Sequence, residues 1–175
     1  VRRLEFGAES TVVTDLTNDV ESVEAPFQYM GVVWDSGDEF KLQTIWSYER
    51  HDAPFDIQDG VTIPTGEYDW LRWRMEAESA LKRPVSGAVA VEVGPFYDGT
   101  RTDYEAQASW RPSRYFTGEL EYEQNRVSLP DGDFVTHLGA ARLDAAFSPD
   151  LTWSNFLQFD NESDTLGWNT RLQWI

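Results

Sequence analysis

The segment Arg101–Arg111 alternates with a period of two over its whole length, and no other feature constrains the chain as tightly. Thr102, Tyr104, Ala106, Ala108 and Trp110 fall on one side of an extended strand, and Arg101, Asp103, Glu105, Gln107, Ser109 and Arg111 on the other. A helix would scatter both sets around its circumference. The next segment repeats the pattern, with Phe116, Gly118, Leu120 and Tyr122 opposed to Thr117, Glu119, Glu121 and Glu123. Leu166, Trp168, Thr170, Leu172 and Trp174 oppose Gly167, Asn169, Arg171 and Gln173, and Leu151–Asp160 alternates less perfectly. Each run is close to the roughly 9–11 residues that a tilted strand needs to cross a bilayer.

Extended along the chain, the pattern predicts about ten strands, near 3–14, 27–34, 40–48, 67–78, 85–94, 101–111, 115–124, 134–147, 151–160 and 166–175. The expected fold is all-β: an antiparallel up-and-down β-barrel of the outer-membrane type, or a fragment of one. Residues 1–175 are read as a single wall domain belonging to a longer protein. The predicted connections alternate in length, long at 15–26, 49–66, 95–100, 125–133 and 161–165 and short near 35–39, 79–84, 112–114 and 148–150. Outer-membrane barrels carry long loops on one side and tight turns on the other. An internal echo, Pro112, Leu120, Tyr122 and Glu123 against Pro149, Leu157, Phe159 and Asp160, fits repetition of an up-down hairpin.

Composition bears on which face is wet. The chain has eight tryptophans and 14% aromatic residues, yet its mean hydropathy is negative. A wall in lipid reconciles the two by showing aromatics outward and keeping polar groups inside, with Trp110, Tyr115, Tyr122, Phe147, Phe159 and Trp174 as interfacial girdles. A soluble sandwich or barrel would reverse the faces. Fourteen Lys and Arg against 31 Asp and Glu give a net charge of −17, which repels phosphate backbones and excludes nucleic acid as a partner. There is no cysteine, hence no disulfide or thiolate chemistry. No apolar run is long enough for a membrane helix and nothing at the start resembles a signal peptide, so residue 1 reads as a cut inside a precursor.

Four stretches together carry a family resemblance: Phe55–Tyr68 (FDIQDGVTIPTGEY), Gly94–Arg101 (GPFYDGTR), Leu129–Phe134 (LPDGDF) and Phe147–Trp174 (FSPDLTWSNFLQFDNESDTLGWNTRLQW). They resemble the C-terminal region of a family of uncharacterised bacterial proteins that pair an N-terminal carbohydrate-binding-like β-sandwich with a predicted outer-membrane barrel. The resemblance spans about residues 50–175. It implies a barrel architecture, the outer membrane of a Gram-negative bacterium as location, and a carbohydrate-associated setting, but no chemistry.

The sequence contains no G-x-S-x-G, G-x-G-x-x-G, P-loop or H-E-x-x-H pattern, and His51 and His137 stand alone, so neither a catalytic set nor a cofactor is expected. The charged face is the main candidate site. Glu119, Glu121, Glu123, Asp103 and Glu105, with Arg72, Arg74, Arg101, Arg111, Arg142 and Arg171 as countercharges, would line a lumen that favours cations or would satisfy one another across strands. A pair of these acids working as a glycoside hydrolase is a lesser alternative. Phe96, Tyr97 and Asp98 could stack a sugar ring. Asp131 with Asp133, and Asp160 with Asp164, have oxygen ligands for calcium without the EF-hand spacing, and ordinary turn chemistry is the stronger expectation for them. The expected partners are lipid bilayer or detergent, with carbohydrate and self-association of a soluble fragment as further expectations.

Overall fold

Alternation over so many segments leaves the backbone no regular structure but the sheet, and the computed structural model, which describes residues 1–175, contains strands and no helix. β1 (Arg3–Ala8) and β2 (Thr11–Thr14) both pair with β3 (Val20–Val33). They are two pieces of the single strand expected at 3–14, interrupted at Glu9 and Ser10. β4 (Glu39–His51) follows β3, and a separate small hairpin, β5 (Phe55–Gln58) with β6 (Val61–Ile63), precedes β7 (Gly66–Glu78). The wall continues with β8 (Val85–Phe96), β9 (Gly99–Ser113), β10 (Phe116–Leu129), β11 (Gly132–Ser148), β12 (Leu151–Asp160) and β13 (Thr165–Trp174).

All pairings in the large sheet are antiparallel, in the order β1-β3-β4-β7-β8-β9-β10-β11-β12-β13 with β2 beside β3. Apart from β1, which pairs with β3 beyond β2, and the excursion through β5–β6, each strand pairs with its neighbour in sequence. The sheet is not closed: β13 and the β1–β2 strand are free edges. Of 119 backbone hydrogen bonds, 107 lie within strands, so the ladder rather than a side-chain core holds the wall together.

The expected asymmetry of loop length is corrected by the structure. The strands run further than alternation alone suggested, and the connections expected at 95–100 and 125–133 shrink to the two-residue turns Tyr97–Asp98 and Pro130–Asp131. In both, an aspartate followed by glycine makes the tight turn. The connection expected at 15–26 is likewise reduced, because β3 begins at Val20. One connection at this end, residues 52–65, is long, and it holds the β5–β6 hairpin.

At the opposite end the β3–β4 and β7–β8 turns are cross-linked. Asp38 receives Arg83 through two hydrogen bonds of 2.5 and 2.8 Å, the Ala80 amide at 3.0 Å and Ser36 Oγ at 2.7 Å. These donors, Arg83 first, hold the Asp38 carboxyl well below the usual carboxylate range. A lowered folded-state pKa means stability present above the ordinary aspartate value, about 4, and lost as pH falls below it. Asp38→Asn is therefore expected to flatten the fall in unfolding midpoint below about pH 4, measured by urea titration beside the unsubstituted chain.

Candidate functional site

Register assigns every side chain to a face. Cross-strand partners share a side, and the pairs Arg74↔Glu92, Glu92↔Asp103, Asp103↔Asn125 and Asn125↔Thr136 place one polar face across β7, β8, β9, β10 and β11. The opposite face carries Trp73↔Val93, Ala108↔Leu120, Leu120↔Ala141 and Leu157↔Trp168. The polar face is the enclosed one. Arg72, Glu92 and Asp103 are 7–9% exposed, while Trp73, Leu120 and Trp168 on the apolar face are 45%, 61% and 73% exposed.

The β5–β6 hairpin explains the enclosure, because it shows which way the sheet curls. Leaving β4, it packs Val61 and Ile63 against Trp70, Phe96, Val127 and Leu129, with Phe134 partly buried beside them. A chain departing from β4 reaches β10 and β11 only by crossing the concave side of a curled sheet. Trp70, Phe96, Val127 and Leu129 all belong to the polar face by register, so the charged face lines a trough. The hairpin spans one end of it, here called the mouth.

Inside the trough the charges form one network. Arg72 pairs with Glu92 at 2.9 Å and with Asp103. Arg74 grips Glu105 through both terminal nitrogens, at 2.6 and 2.7 Å, and touches Glu92 at 3.4 Å. Lys41 extends the network through Glu76 at 2.9 Å, and Arg101 continues it from Asp103 at 2.7 Å to Asn125 at 3.1 Å. Five strands are thus tied side chain to side chain. Such pairs offset the cost of removing charge from water only when geometry and hydrogen bonding are good; one donor, Arg72 Nε, has no acceptor.

Gly94 makes the Arg72 contact feasible. It adopts φ +154, and a Cβ there would stand 3.1 Å from Arg72 Cγ and 2.9 Å from the Leu71 carbonyl. The bare backbone lets the Arg72 side chain pass over β8 to Asp103 on β9. The β7–β8 ladder stops at Trp73↔Val93, where this close approach begins.

The structure brings Arg72, Arg74, Arg101, Asp103 and Glu105 together and places Arg111, Glu119, Glu121, Glu123, Arg142 and Arg171 on the same face, further along the trough. Arg111 meets Glu119 at 3.5 Å, whereas Glu121 and Glu123 have no basic partner. Arg142 lies over the Phe156 ring at 5.6 Å. Lys41, Glu76 and Glu92 escaped the sequence reading. Glu92 had a signal, as the one charge in the run Val85–Gly94.

Of the three residues that could contact sugar, Phe96 and Tyr97 are engaged within the mouth. Phe96 is buried in the mouth cluster, and the Tyr97 ring lies within 4.6–6.4 Å of Phe96, Trp70, Tyr68, His51 and Phe55. The Tyr97 hydroxyl donates to Glu49, and its backbone sits at φ +49, the left-handed region. Burial first, then Glu49, pushes the Tyr97 phenol above the ordinary tyrosine value. Asp98 is exposed at the rim. At the two acidic segments no three His, Cys, Asp or Glu side chains converge. Asp133 accepts from Ser128 Oγ at 2.6 Å, and Asp160 accepts from the Glu162 amide at 2.9 Å and Ser163 Oγ at 3.1 Å, which is turn chemistry.

The apolar face is banded. Towards the mouth, past Tyr104 and Tyr122, it turns polar at Thr100, Thr102, Gln124, Arg126 and Ser128, and on β7 at Glu67 and Asp69. Trp110, Phe116, Phe147, Trp153 and Trp174 edge the band at the turn end, with Tyr104, Tyr122 and Phe159 at the other. No protein-family model, curated protein or solved structure matches the chain.

Proposed function

We propose that the chain is a wall of an outer-membrane β-barrel from a Gram-negative envelope, with lipid against its banded face and a charged lumen in its trough. The observation that carries this reading is the inversion of faces: ion pairs enclosed, tryptophans and leucines exposed. In water such a face would associate or precipitate; in hydrocarbon it is the stable arrangement. Tyrosine and tryptophan at the edges of the band are the residue types that bilayer interfaces favour, and the strands continue past the band at the mouth.

Strand count supports closure. Ten strands alternate in direction along the sheet, so the β1–β2 edge and the β13 edge run antiparallel. They pair directly or through an even number of added strands, and lipid demands that they do, since unpaired strand edges have no water to bond there. The role is anchoring, surface binding or passage of a solute, with carboxylates in excess favouring cations. A soluble β-domain binding carbohydrate or an apolar ligand is the rival, and it needs the apolar face on the concave side. Catalysis by paired acids has less support, because the most enclosed acids are held by Arg72 and Arg74.

The test is partition between detergent-free buffer and liposomes, with gel migration before and after boiling. Insertion with a shift on boiling is the expected result. A monodisperse chain in plain buffer that ignores liposomes would overturn the reading.

A further inference from the structure

The best-packed part of the molecule is at the mouth. Val61 and Ile63 of the β5–β6 hairpin are 5% and 3% exposed, among the least exposed residues in the chain. They stand over the trough, not in the wall. Gly132 on β11 receives Val61, whose Cγ2 is 3.1 Å from the place a Gly132 Cβ would occupy. The stem is fastened as well: His51 Nε2 is 3.1 Å from Glu49 and 3.2 Å from the Tyr97 hydroxyl, and the Phe55 ring is 4.7 Å from the His51 ring. From β7 to β11 is four strand spacings, about 19 Å along the sheet, and the hairpin bridges that width.

We infer that this hairpin is a plug, sealing the mouth of the charged lumen and deciding what can pass. The inference rests on the wall reading above and adds what that reading leaves open, whether the lumen is clear. The gap beside the plug, between Ile63 and Pro64 on one side and Tyr97, Asp98, Pro130 and Asp131 on the other, has a volume of about 80 Å³. That holds a few waters. An ion path needs a continuous wet channel, and here the hairpin replaces it with Val61, Ile63, Trp70, Phe96, Val127 and Leu129. The plug is a separate two-stranded unit joined to the wall at its two ends by residues 52–54 and 64–65, so displacing it breaks no wall ladder.

The experiment is potassium conductance of the full chain in planar bilayers, for the unsubstituted protein, Ile63→Asp, and a variant with Phe55–Ile63 replaced by a short Gly-Ser linker. Heat-modifiable migration checks that each is folded, and the linker variant covers a failure of Ile63→Asp to fold. The expected result is conductance at least tenfold higher in a folded variant than in the unsubstituted chain. Equal conductance in folded, inserted proteins overturns the plug while leaving the wall reading intact. A chain that neither inserts nor shifts on boiling overturns both.

Discussion

Replacing Arg72 by methionine is expected to lower the unfolding free energy by about 3–5 kcal/mol, the usual cost of leaving buried charge without its partner. Arg72 holds both Glu92 and Asp103, and all three are nearly enclosed. Methionine keeps the length of the side chain and removes the donors, so Glu92 retains only Arg74 at 3.4 Å and Asp103 only Arg101 at 2.7 Å. Urea unfolding in lipid vesicles measures the cost. Adding Glu92→Gln and Asp103→Asn to the same chain should recover most of it, because neutral groups no longer demand a cation. A cost below about 1 kcal/mol would mean that water floods the trough and screens the pairs as it does on an open surface.

The second large effect belongs to the other face. Leu120 sits in the middle of the apolar band, between Ala108 and Ala141 on the neighbouring strands, and is 61% exposed. At so exposed a position in water, Leu120→Arg would change stability by roughly 0.5 kcal/mol or less. Near a bilayer midplane the same change costs about 2–4 kcal/mol, falling to about 0–1 near the interfaces. Gln124→Arg, four residues along β10 on the same face but beyond Tyr122, is the matched control. The expected outcome in vesicles is a large loss for Leu120→Arg and little for Gln124→Arg. Equal, small effects at both positions would show that the band is not in lipid.

Much of the fold was legible because a two-residue period is written directly in residue type. Arg101–Arg111 and Thr165–Trp174 declare a strand and its two faces without help from the rest of the chain, and every wall strand overlaps a segment that alternation marked, although the first is broken at Glu9 and Ser10 and β3 begins at Val20. The hairpin at 55–63 was not legible. FDIQDGVTI contains two strands of four and three residues, too short for a period to show, and its inward course depends on Gly132, some seventy residues away. Loop lengths were misread for a related reason: near the mouth both faces are polar or partly buried, so alternation fades before the strand ends. In the site, alternation within each strand sorted the charged residues onto one side, and register joins those sides into one surface. Its connectivity was not, since Lys41–Glu76 and Arg72–Glu92 join strands whose registers only the structure supplies.

The neighbour-to-neighbour order of the strands also bears on how the chain assembles. Each hairpin of the wall can form from a contiguous stretch of sequence, so the loop-closure entropy of each step stays small and folding can proceed by successive local additions. Val61 is the exception: its seat on Gly132 closes a loop of 71 residues and exists only after β7 to β11 have curled. Closure of the mouth therefore belongs late in folding, because the entropy of closing so long a loop is recovered only once those five strands are in place.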